Sequence, residues 1–327
     1  MTSLRSLRSA CFPLVVLAAA CSAPPHATHE PAMQPGKVVT LLAFGDGGYH
    51  YDHLERKVYD KVVTEEQFLA KERKDWVEER RPPAEFDHPP MYKLPGNGSV
   101  IAATGQMPVA SAMKTYCGHQ RCDFAVMLGD NIYPDGAMAN ADDARRFRDL
   151  FTIPYGALVE GRENFRIYGV LGNHDWHTSR AGAMAQVRFL ETTTPFFMNG
   201  LFYRVAPAAA QGEVEIFALD TEVLLAGTTV REAVLAEDAS EVETDEIEQL
   251  EPWAAPQNEA ERNMIEWLEA ALTNSKARWK IVIGHHPLWS TAGSKFQQAK
   301  SLRRLILPVL CRYADMYLAG HEHTLEV

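Results

Sequence analysis

Five times along this chain an apolar run breaks at a glycine and is followed at once by side chains able to bind a metal. The runs are Leu41-Leu42-Ala43-Phe44-Gly45-Asp46, Val126-Met127-Leu128-Gly129-Asp130-Asn131-Ile132-Tyr133, Ile167-Tyr168-Gly169-Val170-Leu171-Gly172-Asn173-His174-Asp175, Ile281-Val282-Ile283-Gly284-His285-His286 and Met316-Tyr317-Leu318-Ala319-Gly320-His321-Glu322-His323. Each reads as a buried strand that delivers polar groups at its C-terminal edge. Glycine there lets the backbone turn sharply and approach a bound ion or phosphate. In open α/β sheets ligands gather outside the carboxyl ends of the strands, so five such corners can meet in one pocket.

The ordered set GD, GDNxY, GNHD, GHxP and GHxH resembles that of the calcineurin-like metallophosphoesterases, and among them most closely the small, tartrate-resistant type of purple acid phosphatase. The resemblance covers roughly residues 38 to 327. It implies an α/β fold, a four-layer α/β/β/α sandwich of two mixed sheets flanked by helices. Relatives continue past GHxH with further strands, so C-terminal strands of the second sheet are expected to be missing from a chain that stops at Val327.

The resemblance also implies a ligand set for two metal ions. One ion would take Asp46, Asp130, Tyr133 and His323, and the other Asp130, Asn173, His285 and His321, with Asp130 bridging. Most of the superfamily has Asp-x-His in its first motif, whereas here Gly47 and Gly48 follow Asp46. Tyr133 would fill that gap, as in purple acid phosphatases, and a hard phenolate donor suits Fe(III); its other reading is a packing residue in a turn. The second ion would be Fe(II), Zn(II) or Mn(II). The implied reaction is hydrolysis of small phosphate monoesters by a metal-bridged hydroxide placed in line with phosphorus. A phosphodiesterase or nucleotide pyrophosphatase on the same scaffold is the enzymatic alternative, and a catalytically silent, surface-anchored metal-binding protein is the non-enzymatic one.

His174 belongs to GNHD without being a family ligand, and would face the substrate as a proton donor. Asp175 either orients it or holds the turn. Relatives carry a further histidine a few residues past GHxP, where Ser294 stands here. His286, in the second position of GHHP, and His177 are the candidates to compensate, each with a non-catalytic role as its other reading.

With 327 residues, 46% of them hydrophobic, the chain can bury one large core, read here as one domain over 37–327 with insertions. A formal net charge of −11 argues against nucleic acid as the main partner. Residues 1–20 have the layout of an export signal, with Arg5 and Arg8 ahead of an apolar run. The following Cys21 sits as in a lipobox, so a lipidated, membrane-anchored or periplasmic protein is expected, with simple cleavage as the alternative. Residues 21–36 then form a flexible tether, with His26 and His29 solvated. Oligomeric state has no signature in the sequence.

Of the five cysteines, Cys117 and Cys122 suit either a short disulfide in an exported protein or half of a zinc site that no second pair completes. Cys11 lies in the signal, and Cys311 reads as a buried small hydrophobe. The insertion 50–98 centres on a charged helix over 64–81, with His50, Tyr51 and His53 either loop residues or substrate contacts. Helices are expected over 99–116, 142–151, 181–191, 264–272 and 297–311. The acidic stretch 236–251 reads as a solvated loop rather than a calcium site.

Overall fold

The computed structural model describes residues 38–48, 63–78, 80–88, 91–93, 98–102, 106–235, 241–247, 250–290 and 293–323. The expected signal and tether, with Cys11, Cys21, His26 and His29, lie outside them, as do His50, Tyr51 and His53. In chain order the elements used below are β1 (Leu41–Phe44), α1 (Glu65–Glu78), β2 (Met91–Lys93), β3 (Val100–Ala102), α2 (Gln106–His119), β4 (Phe124–Leu128), α3 (Asp143–Phe147), β5 (Ile167–Val170), α4 (Asn173–Trp176) and α5 (Arg180–Thr192). After these come β6 (Phe196–Phe197), β7 (Tyr203–Val205), β8 (Val214–Ala218), α6 (Thr221–Ala226), β9 (Arg231–Leu235), β10 (Glu241–Ile247), α7 (Met264–Asn274), β11 (Trp279–Ile283), α8 (Gly293–Tyr313) and β12 (Met316–Leu318).

Two four-stranded sheets with flanking helices carry the α/β sandwich. The first has the order β1-β4-β5-β6 and is parallel at every pairing among the described residues, where a mixed sheet is expected. The reason lies in the connections: α2 precedes β4, and α5 joins β5 to β6, so each strand is reached by a helical crossover. The second, ordered β12-β11-β8-β7, is mixed: β8, β11 and β12 are parallel, and β7 runs antiparallel to β8.

Every residue of β4 and β5 is buried, which is why both read as unbroken apolar runs rather than alternating ones. Fully buried side chains such as Phe124, Ile167 and Phe217 contribute about 1.5–3 kcal/mol each by leaving water. The sheets are also tied by polar contacts. Tyr203 on β7 donates its hydroxyl to the Gly169 carbonyl on β5 at 2.8 Å, and Trp176 donates to Asp220 Oδ2 at 3.1 Å.

Three local expectations change. The helix expected from Ser99 begins at Gln106, because the β-branched pair Val100-Ile101 joins β3, which pairs with β2. The acidic stretch is not wholly loop: residues 241–247 form β10 against β9, and Val242 and Thr244 alternate with acidic residues whose charge masks the period-two pattern. Residues 236–240 and 248–249 of that stretch lie outside the described residues. Cys311 is exposed on α8 rather than buried. Cys117 and Cys122 form a disulfide, with Cα atoms 5.3 Å apart, and so leave no half-site for zinc. Among the described residues no helix is long and apolar enough to cross a membrane.

Candidate metal centre

The five corners converge. Asp46 follows β1, Asp130 follows β4, Asn173 opens α4 after β5, His285 follows β11, and His321 and His323 follow β12. Four of these residues sit in the left-handed backbone region, with φ of 54° at Asp46, 48° at Asp130, 76° at His321 and 52° at His323. That conformation costs roughly 1–3 kcal/mol for a residue other than glycine and concentrates at functional sites. The glycines admit the close approach. A Cβ on Gly172 would lie 2.2 Å from Asp130 Oδ1, and one on Gly129, itself at φ 89°, would lie 2.6 Å from His285 Nδ1.

The side chains fall into two groups of three that share Asp130. Ligand atoms of Asp130, His285 and His321 lie within 4.8 Å of one another, and so do those of Asp46, Asp130 and His323. Tyr133 joins the second group: its hydroxyl donates to Asp130 Oδ2 at 2.8 Å and lies 3.0 Å from His323 Nε2 and 3.4 Å from Asp46 Oδ1. Asn173 joins the first, with Oδ1 3.1 Å from His285 Nε2. All seven expected ligand residues are therefore brought together, four oxygen donors from the first sheet and three imidazoles from the second.

The electrostatics fit cations. Burial and the neighbouring Asp130 and Asp46 carboxylates push the Tyr133 phenol far above its ordinary range. Burial opposes charge on His285, yet Asp130 and Asp46 outweigh it and raise this imidazole to about 9. Burial would raise Asp130 too, but His285 and the hydrogen bonds around it hold that carboxyl well below the usual range. The pocket thus favours positive charge between its two sheets, and a mixed O and N donor set with one shared carboxylate suits a pair of ions. The ring atoms are also sorted. His285 Nδ1 lies 2.8 Å from the Leu128 carbonyl, which can only accept, so Nε2 is the atom turned toward Asn173, His321 and Asp130 and the one suited to bind an ion.

The expected catalytic residues divide. His174 lies at the centre: its ring packs on Tyr133 at 4.4 Å and on His177 at 4.2 Å, and its Nδ1 lies 2.6 Å from the Pro134 carbonyl, which leaves Nε2 for another partner. Burial lowers its pKa. Asp175 takes the turn-holding one of its two roles. It is fully buried and accepts from the backbone N–H of Asn131, Ile132 and Gly172 at 2.8–3.1 Å and from Asn131 Nδ2 at 3.2 Å, with no bond to the His174 ring.

His286 faces inward, not toward substrate. It is fully buried, and its Nδ1 lies 2.8 Å from Thr221 Oγ1, an oxygen that already accepts from the backbone N–H of His285 and His286. The threonine therefore donates to Nδ1, and His286 Nε2 carries its proton toward Glu222 Oε2, 3.4 Å away. Neither atom has a hydrogen-bond partner among the described residues, so the two lie close without a bond between them. Position 286 thus braces the GHHP corner from behind. His177 lies 3.4 Å from both Asp135 Oδ1 and Glu251 Oε1, with its ring tilted against that of His174. Ser294 falls within the first turn of α8.

Two residues absent from the sequence reading reach the site from α8. Lys295 Nζ donates to the His321 carbonyl at 2.6 Å, and Gln298 Oε1 lies 3.1 Å from His321 Nε2. Their spacing of three places them on one helix face, but nothing in a Lys-x-x-Gln pattern points at a metal.

The calcineurin-like phosphoesterase family model matches residues 103–325. Among curated relatives, purple acid phosphatase 17 of Arabidopsis thaliana is 31% identical over 62% of this chain and 53% of its own length. Purple acid phosphatase 3 of the same plant is 28% identical over 75% of this chain and 60% of its own length. Tartrate-resistant acid phosphatase type 5 of Rattus norvegicus is 28% identical over 62% of this chain and 56% of its own length. The chain thus spans a little over half the length of the curated relatives it matches.

Proposed function

The chain belongs to the calcineurin-like phosphoesterase family, and from that premise we propose that it is a phosphomonoesterase of the purple acid phosphatase kind, built around an Fe(III)–M(II) pair with M as Fe, Zn or Mn. The observation that carries this reading is the position of Tyr133, whose hydroxyl lies among Asp46, Asp130 and His323 while Gly47 and Gly48 stand where a first-motif histidine would otherwise be. Two ions bound by the seven residues would supply the Lewis acidity that activates water and neutralises phosphoryl charge.

The chain's own residues do the rest. Tyr133, Asp46 and His323 form the harder, more anionic cradle. Asn173, as a neutral amide beside His285 and His321, leaves the second position less neutralised and so more attractive to a phosphate oxygen. His174 keeps Nε2 for substrate, because Nδ1 is engaged with Pro134, and a protonated ring there donates to a phosphate oxygen or to the departing alkoxide. Asp175 fixes the turn that carries both Asn173 and His174.

A visible spectrum of the air-oxidised protein, read with metal analysis and a Tyr133→Phe variant, tests the reading. A broad band that disappears in the variant supports a phenolate bound to iron. Two ions without that band would leave a metallophosphoesterase of another metal content, and aryl diester turnover above monoester turnover would overturn the monoester assignment. The same reading has the protein exported and attached through a lipidated Cys21. Loss of membrane fractionation in Cys21→Ser is the expected result, and unchanged fractionation would remove the anchor.

A further inference from the structure

We propose that Gln298 and Lys295 are positioning residues for the second ion: Gln298 sets the tautomer of His321 so that Nδ1 is its ligand atom, and Lys295 pins the backbone of the same residue. The inference rests on the two-ion reading above and concerns how this chain holds one of its ligands.

His321 needs holding. It follows β12, the edge strand of the second sheet, whose residues are exposed or only partly buried, and it is kept at φ 76°. Every polar atom of the residue has a specific partner. Its backbone N–H donates to both oxygens of Asp46 at 3.0 Å, and its carbonyl accepts from Lys295 Nζ at 2.6 Å. Nδ1 lies 3.1 Å from His285 Nε2, inside the group formed with Asp130, while Nε2 lies 3.1 Å from Gln298 Oε1. An imidazole that binds an ion through one nitrogen donates the N–H of the other to an acceptor, and that acceptor fixes the tautomer and the ring orientation.

The two histidines of this ion are fixed by different means. For His285 the acceptor is the Leu128 carbonyl, which cannot reverse its polarity. For His321 it is a side-chain amide, which turned the other way would donate to Nε2 and move the proton to Nδ1. Only the orientation with Oε1 toward Nε2 leaves the Nδ1 lone pair for an ion. Lys295 and Gln298, three residues apart on α8, therefore grip one corner from a single helix face. An uncharged acceptor also leaves the imidazole less basic than a carboxylate would, in keeping with the neutral Asn173 amide on the same ion.

The test has two independent readouts on the full chain. In the metal-free protein, long-range 1H–15N NMR of the His321 ring is expected to show the proton on Nε2 in wild type and in Gln298→Glu, whose carboxylate can only accept. Titration with Zn(II) then reads both sites. Gln298→Leu should weaken the second site by about 10–100-fold, the usual cost of losing such a partner, while the first site is unchanged. Gln298→Glu should restore it, and Lys295→Met should weaken the same site by a smaller factor. A proton on Nδ1 in the wild-type ring, or Gln298→Leu binding both ions as wild type does, overturns the proposal. If Gln298→Leu does not fold, the wild-type tautomer and Gln298→Glu still decide. Fewer than two ions bound by wild type would bring down the two-ion reading instead, and the tautomer result would stand separately.

Discussion

The first sheet supplies oxygen to the candidate centre and the second supplies nitrogen, and the two halves are held by different physics. Asp46, Asp130, Tyr133 and Asn173 hang from β1, β4 and β5, and β4 and β5 are wholly buried. Beneath them, the Asp175 carboxylate gathers three backbone N–H groups of the second and third corners. His285 shares that rigidity, but His321 and His323 follow an edge strand, and the side chain of His323 is 61% exposed. Rigidity on the oxygen side comes from the core, whereas on the nitrogen side it is borrowed from side chains of α8.

The largest break in that comparison should come from Asp130, the one carboxylate in both groups. Asp130→Ala is expected to lower kcat/KM on an aryl phosphate by about 10²- to 10³-fold or more, the range for losing a group that stabilises transition-state charge, and to release metal from both positions. Retention of one ion with substantial activity would show that the halves work separately. Next, Asp175→Ala should lower the unfolding free energy by about 3 kcal/mol or more, because it leaves several buried N–H groups without an acceptor. An unchanged denaturation midpoint would remove Asp175 as the brace of the oxygen half.

Gly172→Ala probes the same half by crowding. A Cβ 2.2 Å from Asp130 Oδ1 and 2.4 Å from its backbone nitrogen forces a shift, at an expected cost of about 1–3 kcal/mol together with lost metal affinity. On the nitrogen side, His323→Ala should leave the stability of the metal-free protein within about 0.5 kcal/mol, as exposed positions do, while weakening the first ion. A large loss of stability there would put His323 in the structural frame.

The smallest effect is a pH profile with two limbs. Burial raises Asp175 and Asp220 to about 7 and Glu222 to about 8. Above the ordinary carboxyl range the folded state therefore holds protons that the unfolded chain has released, and stability falls as pH rises through about 7 to 8. Burial lowers His174, His286 and His321, the last to about 3, so below 6.5 the unfolded chain takes up protons that the folded one refuses, and stability falls as pH drops. Chemical denaturation of metal-free protein should show a maximum between the limbs. Glu222→Gln should flatten the alkaline one; a profile it leaves unchanged would argue against Glu222 as a buried group that holds its proton in the folded state.

Much of the candidate centre was legible because glycine and a polar side chain follow each apolar run directly, which picks out, without tertiary information, the seven residues that the fold brings together. What stayed hidden depends on burial and direction. His286 sits in a ligand motif, but only its contact with Thr221 reveals that it faces the core. Asp175 had two open roles until its hydrogen bonds showed where the carboxylate points. Gln298 and Lys295 carry no motif, since a helix face gripping a distant corner leaves no periodic signal. The strand β10 was masked because acidic residues dominate its composition.

One consequence of the partition between sheets lies in time rather than space. On the proposed assignment, each ion draws a ligand from the corner at 321–323, the latest of the five to emerge from the ribosome. A nascent chain reaching only to residue 300 already displays all the oxygen donors and His285, yet completes neither coordination sphere. Metal capture would then wait for the fifth corner, and a stalled chain ending at residue 300 should lose Zn(II) on simple dilution where a chain carrying that corner keeps it.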